Sequence, residues 1–472
     1  MLFLYNNIDN EVITLDKKRI LVLAITGILI VLGGITLFIN HNLESKDEKT
    51  KTIVSTVMSV DDGTFTIQDS NNIIYTFGII DDNLSVGDVI ELEYNGSLNK
   101  NKALQDSKVL GYKTIKVSND EEGVPSEWQD NGIFKDFYIF AAKKLKTMSL
   151  DEKIAQLLLV RYPDTNPVET LEKYQFGGYV FFEKDFRDKT KPEVKEMINN
   201  LQNVSKVPIL TAVDEEGGTV VRVSSNPNLA SSKFESPRDL YLSGSFEKIR
   251  QDTINKSLLL SELGLNLNLA PVVDVSTNSG DYMYKRTLGE NTELTSTYAK
   301  TVISASKGLG VSYTLKHFPG YGNNNDTHTG QVIDNRTYAD IEKNDLPPFE
   351  AGINEGAEAA LVSHNTVTNI DSSNPASLSS NVHNILRNKL GFTGIVISDD
   401  LAMGAVSSID NVAVKAIMAG NDLLITTDYE ESFNDIKEAV NNKTIDEGLI
   451  DKLAFRVLAW KYYKGLIFEN QK

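Results

Sequence analysis

The chain reads as an α/β protein: a (β/α)8 TIM-type barrel preceded by a small all-β module and an N-terminal transmembrane helix. Three observations predict this. From Ile133 onward, apolar strand-like runs alternate with helical stretches, as they do when helices wrap a parallel sheet. Residues 52–115 instead carry short alternating runs broken by turn residues. Ile20 to Ile39 contains no charged residue at all.

In chain order, residues 1–19 form a polar tail ending in Lys17-Lys18-Arg19. The uncharged run 20–39 has about the 20 residues a helix needs to cross hydrocarbon. Its basic flank places the tail in the cytoplasm and all that follows residue 40 outside. A cleaved signal peptide is the rival reading. The run is longer than an ordinary signal core, no small-x-small site follows it, and the chain has no cysteine to carry a lipid. An uncleaved, single-pass cell-membrane anchor with an extracytoplasmic large domain is therefore expected.

Residues 40–51 are a charged spacer. The 52–115 module has alternating runs such as Thr64–Gln68 and Val89–Tyr94, punctuated by Asp61-Asp62-Gly63 and Gly87-Asp88, and is expected to close as a small barrel. Its aromatics Phe65, Tyr75, Phe77 and Tyr94 sit at core spacing. Residues 116–132 form a linker, acidic over Ser118–Pro125.

The 133–472 domain offers eight strand candidates: 156–161, 178–183, 209–214, 266–274, 312–317, 359–364, 395–399 and 422–426. Helical stretches intervene at 191–205, 248–263, 292–309, 379–390 and 411–419. A doubly wound open sheet would use the same alternation. No G-x-G-x-x-G or Walker loop stands at a strand-to-helix turn, so nucleotide binding has no support. The net charge of −18 argues against a general phosphate-binding surface and hence against nucleic acid. With no cysteine there is no disulfide, thiolate nucleophile or cysteine metal site.

Asp214, Lys316, His317, His364 and Asp399 each end a candidate strand. In a barrel those ends share the face on which active sites are built. Lys316–His328 (KHFPGYGNNNDTH) then forms a loop that cannot be helical. Its Asp326 and His328 pair a carboxylate with an imidazole, an arrangement suited to proton transfer. The structural alternative is an Asx-type turn with an incidental histidine. Asp399, fixed at a strand end, and a mobile acid/base group together suit displacement at an anomeric carbon. Lys316, His317, Arg286 and Asp214 would then hydrogen-bond sugar hydroxyls. Asp326, His328, His317 and His364 are also potential metal ligands, but no H-x-H or H-E-x-x-H spacing occurs and no metal or cofactor is expected.

These residues carry a family resemblance. Val213-Asp-Glu-Glu-Gly-Gly218, Ala270-Pro-Val-Val-Asp274, Arg286-Thr-Leu-Gly289, Lys316-His-Phe-Pro-Gly320, Asp326-Thr-His328 and Ser398-Asp-Asp-Leu401 resemble, in order, the motifs of glycoside hydrolase family 3. The D-x-H loop resembles its β-N-acetylhexosaminidase branch, which acts on N-acetylglucosaminides of peptidoglycan. The β-glucosidase branch recruits its acid/base carboxylate from a second domain, for which the chain, ending at Lys472, is expected to leave no room. The resemblance implies Asp399 as nucleophile, His328 as acid/base and Asp326 as its orienting partner. It also implies sugar contacts from Asp214, Arg286, Lys316 and His317, and a glycan or muropeptide as substrate. The loop departs from the family pattern: it is one residue shorter, and Tyr321 and Asn323 replace an expected histidine and aspartate. With the Asp326–His328 pair retained, the expected function is a retaining exo-β-N-acetylglucosaminidase. The alternatives are a phosphorylase, since a neutral imidazole tolerates an incoming anion, and a catalytically silent wall-glycan-binding protein.

Overall fold

The computed structural model describes residues 50–467, apart from 62, 70–72, 79–83, 85, 87, 100–103, 117–123, 325, 328 and 329. The expected cytoplasmic tail and anchor at 1–39 lie outside the described residues. Among the described residues no helix is long and apolar enough to cross a membrane.

The N-terminal module comprises β1 (Lys51–Asp61), β2 (Thr64–Asp69), β3 (Ile74–Gly78), β4 (Val89–Asn95) and β5 (Lys108–Lys116). Alternation places Phe65, Ile67, Phe77, Ile90 and Leu92 on one buried face. Phe65 and Phe77 are cross-strand partners whose rings stack at 5.6 Å. The sheet is antiparallel in the order β3-β2-β1-β4-β5. That corrects the expected small barrel: no ladder joins β3 to β5 among the described residues, and β3, five residues long, offers little edge for closure. The C-terminal end of the expected 116–132 linker is packed down, with Trp128 against Phe455 at 5.2 Å.

The following strands are β6 (Leu158–Arg161), β7 (Gly178–Phe181), β8 (Leu210–Val213), β9 (Leu267–Asn268), β10 (Ser312–Phe318), β11 (Ile333–Asp334), β12 (Ala359–Val362), β13 (Thr366–Val367), β14 (Ile395–Ser398) and β15 (Leu423–Thr426). Eight of them close a barrel in the order β10-β12-β14-β15-β6-β7-β8-β9, every neighbouring pair parallel. Each expected strand is present, and the open-sheet alternative is excluded. The short β11 and β13 pair with each other above the rim. The strands are buried on both faces, which is why they read as apolar runs without alternation.

The expected helices are present, with local differences. Lys191–Val204 opens on a Thr190–Glu193 capping box with Pro192 in its first turn. Pro237–Glu262 contains the expected 248–263 stretch but is broken at Gly244-Ser245. The 379–390 stretch is Ser380–Asn384 followed by a π turn, Ile385–Lys389. The last helix, Glu447–Tyr463, seals the lower end of the barrel with a fully buried Trp460. That end has its own charges: Asp422 accepts from both Arg456 and Arg387 beneath β15. They tie helices to the barrel floor and leave the opposite rim to the site.

Candidate active site

The rim at the C-terminal ends of the barrel strands encloses a cavity of about 450 Å³. Asp214, Arg286, Lys316, His317 and Asp399, five of the seven residues singled out in the sequence, line it together. Asp214 directly follows β8 and Asp399 directly follows β14. Lys316 and His317 are neighbours on β10, where ordinary alternation would send them to opposite faces. The Lys316–His317 peptide bond is cis and the β10–β12 register shifts between Leu315 and Phe318; both side chains line the cavity.

The inner wall is a set of linked ion pairs, with Arg222 Nη2 3.8 Å from Asp214 Oδ2 at its edge. Lys316 Nζ lies 2.7 Å from both Asp214 Oδ1 and Glu216 Oε1. Arg286 grips Glu216 with a fork, Nη2 to Oε1 at 2.7 Å and Nε to Oε2 at 3.0 Å. Burial pushes the Glu216 carboxyl up, but Arg286 and Lys316 outweigh it and hold the group well below the usual carboxylate range. Burial likewise pulls Lys316 down, and Asp214 and Glu216 more than restore it, so the ammonium stays charged. His317 Nδ1 lies 2.8 Å from Asp274 Oδ2, which fixes the ring and turns Nε2 toward Arg286 Nη2 at 3.4 Å.

Asp399 stands at the floor, partly exposed to the cavity. Burial raises its carboxyl, but His364, His317 and Lys316 bring it below the ordinary value. It is a carboxylate at neutral pH, and the Asp400 N–H donates to its Oδ1 at 2.9 Å. Asp400 accepts from Ala402 N at 3.0 Å and from Thr427 Oγ1 at 3.2 Å and so caps the turn. Burial, then Asp399, push the Asp400 carboxyl up, separating the two acids in proton affinity. His364 sits behind them with Nε2 donating to the Asp400 carbonyl at 2.9 Å and Nδ1 bonded to Ser377 Oγ at 2.7 Å. It supports the Asp399-Asp400 turn and does not line the cavity.

Asp326 also does not line the cavity, but it stands beside Tyr282, which does. Burial and then the Asp326 charge raise the Tyr282 phenol. Thr327 faces the cavity, its N–H donating to Tyr321 Oη at 3.0 Å and its carbonyl accepting from Ala405 N at 3.2 Å. The expected acid/base residue, His328, is the next residue in the chain and lies outside the described residues. Among the described residues no group of three or more His, Asp or Glu is placed to hold a metal ion.

Several site residues escaped the sequence reading of roles. Glu216 and Asp274 stood inside quoted motifs without assigned partners. The Asp214-Glu215-Glu216 run divides its work: Asp214 and Glu216 face the cavity, while Glu215 accepts from Arg222 N and Val223 N, both at 2.7 Å, and folds the loop back. Arg161 and Arg222 also line the cavity, 4.4 and 5.4 Å from the Phe182 ring. A strand-terminal arginine and an aromatic after the next strand were the available signals.

The sequence profile described as "Glycosyl hydrolase family 3 N terminal domain" matches residues 149–460. A Beta-hexosaminidase of Xylella fastidiosa (strain M23) is 31% identical over 305 residues, covering 62% of this chain and 88% of that protein. One from Xanthomonas euvesicatoria pv. vesicatoria (strain 85-10) is 30% identical over 296 residues, covering 60% and 86%. Among solved structures, a glycoside hydrolase family 3 beta-N-acetylglucosaminidase from Paenibacillus sp. str. FPU-7 superposes with a TM-score of 0.64 at 27% identity. The match covers 68% of this chain and 63% of that one, so less than two thirds of the Paenibacillus chain is spanned. A family 3 glycosyl hydrolase from Mycobacterium smegmatis str. MC2 155 gives a TM-score of 0.59 at 26% identity, covering 67% and 98%.

Proposed function

Because the chain belongs to glycoside hydrolase family 3 and is a glycosidase, we propose that it is a retaining, exo-acting β-N-acetylglucosaminidase working on peptidoglycan-derived or related N-acetylglucosaminides. The observation that carries this reading is Asp399: an ionised carboxylate at the floor of a rim cavity whose inner cations and carboxylates are matched to one another. A matched set of donors and acceptors suits a neutral, hydroxyl-rich ring.

In the first step Asp399 attacks the anomeric carbon while His328 gives a proton to the departing oxygen. In the second, His328 takes a proton from water, which attacks the glycosyl ester and releases the sugar with its configuration retained. Asp326 orients the imidazole. Asp214 accepts from, Lys316 and Arg286 donate to, and His317 hydrogen-bonds with, the sugar hydroxyls. The position of Thr327 on the cavity wall, one residue before His328, supports this assignment. The names of the relatives support the N-acetylhexosaminide class. We further propose that residues 20–39 anchor the chain with the barrel outside the cytoplasm, which rests on that uncharged run and its basic flank.

The test is hydrolysis of p-nitrophenyl N-acetyl-β-glucosaminide, with the first-formed anomer followed by NMR. Release of the β-anomer is expected, with no dependence on phosphate. A sugar 1-phosphate formed in phosphate buffer would make the protein a phosphorylase. Muropeptide binding without aryl release would make it a glycan-binding protein.

A further inference from the structure

Beneath the loop that follows β10, a guanidinium is fixed by two buried carboxylates. Arg336 donates to Asp334 from Nη2 at 2.7 Å and from Nε at 3.0 Å, and to Asp345 Oδ2 from Nη1 at 2.8 Å. Asp334 and Asp345 are 2% and 1% exposed, so the fork has one permitted place. From there Nη2 also reaches the Gly320 carbonyl, at 3.3 Å. Gly320 and Gly322 have φ of +118° and +63°. A Cβ on Gly320 would lie 2.5 Å from Asp345 Cβ, and one on Gly322 would lie 2.6 Å from Arg336 Cζ. The loop backbone therefore rests directly on the ion cluster, and only glycine permits that approach.

The cluster is itself tied to the rim. Asp334 belongs to β11, which pairs with β13, and its carbonyl accepts from Thr368 N at 2.9 Å. On the other side of the loop, Tyr321 N donates to Asp274 Oδ1 at 2.6 Å and Asn365 Nδ2 to the Tyr321 carbonyl at 3.3 Å. Asp274 is the carboxylate that holds His317, so one set of contacts fixes both the sugar-facing histidine and the base of the loop. None of Arg336, Asp334 and Asp345 lines the cavity.

We propose that Arg336 is a positioning residue for proton transfer: clamped by Asp334 and Asp345, it holds the Gly320–Gly322 backbone at the base of the loop, and through it the acid/base group that follows in the chain. This rests on the reading of His328 as that group. A residue that positions a general acid leaves a mark that general weakening of the fold does not. Loss of acid assistance slows departure of a poor leaving group and hardly affects a good one. Arg336→Ala is expected to lower kcat/KM about 100-fold for an alkyl N-acetyl-β-glucosaminide, and less than about 5-fold for the 2,4-dinitrophenyl glycoside. Arg336→Lys keeps the charge but not the fork, and is expected to follow the same pattern.

Gly322→Ala supplies a second perturbation from the loop side: it keeps all three charged side chains but sets a methyl against the Arg336 guanidinium, and it is to be read in the same way if Arg336→Ala does not fold. His328→Ala is the reference. If it shows the leaving-group dependence and both loop perturbations lower the two substrates equally, the positioning role is overturned while the acid/base assignment stands. If His328→Ala shows no such dependence, the acid/base assignment fails, and this inference with it.

Discussion

Lys461 offers a test of the structure far from the chemistry. It is completely buried on the helix that seals the barrel floor, and its ammonium donates to Gln156 Oε1 at 2.7 Å. Burial pulls its pKa from 10.5 down to about 7. In the unfolded chain the amine holds its proton up to about pH 10.5, so between the two values the unfolded state binds more protons and stability rises with pH. Below pH 7 the amine is charged in both states and the burial cost is present in full. Above 10.5 it is neutral in both, and the cost is gone. At about 1.4 kcal/mol per pH unit, the cost at pH 7 is about 4 kcal/mol, and at pH 10 it is under about 1 kcal/mol. Lys461→Met removes that cost and leaves Gln156 Oε1 without this donor, a loss of about 1–3 kcal/mol. The variant should therefore be about 1–3 kcal/mol more stable than the parent at pH 7 and slightly less stable at pH 10. Paired thermal melts of both proteins from pH 6.5 to 10 measure the difference. A difference that does not change with pH, or a variant weaker at pH 7, would refute the reasoning.

Asp399→Ala should reduce turnover of an aryl N-acetyl-β-glucosaminide by about 10⁴-fold or more, with only a modest fall in melting temperature, because the neighbouring positive groups outweigh burial and favour the charge it removes. Activity within tenfold of the parent would show that another group is the nucleophile. Glu216→Gln strips the charge that balances both Lys316 and Arg286 while keeping one acceptor. It should cost about 2–4 kcal/mol in unfolding free energy and raise KM more than it lowers kcat, read from denaturant melts and steady-state kinetics. Unchanged stability would mean that the three charges do not form one unit.

The barrel was legible because its strands are sandwiched. Leu210–Val213 or Leu423–Thr426 must be apolar on both faces, so each reads as a block between polar helices, and the first charge after it marks the rim. The segment expected at 266–274 pairs as β9 only at Leu267–Asn268, because Pro271 has no N–H to give and the chain continues as a single bridge from Val272 to Lys316. What could not be read was which charges meet. Lys316 and Asp214 are 102 positions apart, and Arg286 and Glu216 are 70 apart. Nothing local in either segment specifies its partner. That Lys316 and His317, neighbours on β10, both line one cavity likewise runs against simple alternation along the strand and could not be read from it. In the N-terminal module the alternation gave the strands, but closure depends on edge geometry that alternation does not encode.

The pairing pattern bears on why such a site suits a sugar. Lys316 and Arg286 bring two positive charges to the inner wall, and Asp214 and Glu216 bring two negative ones, so these four groups are neutral as a set, with Arg222 3.8 Å from the far oxygen of Asp214. A neutral wall built from charged groups presents donors and acceptors at nearly full strength without attracting ions to compete for them. Positive charge developing at an anomeric carbon over Asp399 would then meet a carboxylate, while the nearest cations of that wall are already engaged by their own partners. Were Glu216 removed, Lys316 and Arg286 would face that developing charge with only Asp214 to offset them, and the penalty would fall on the transition state as well as on binding. The kcat lost in Glu216→Gln, over and above its rise in KM, therefore measures how far the balance of this wall is tuned to the charge that forms during glycosyl transfer.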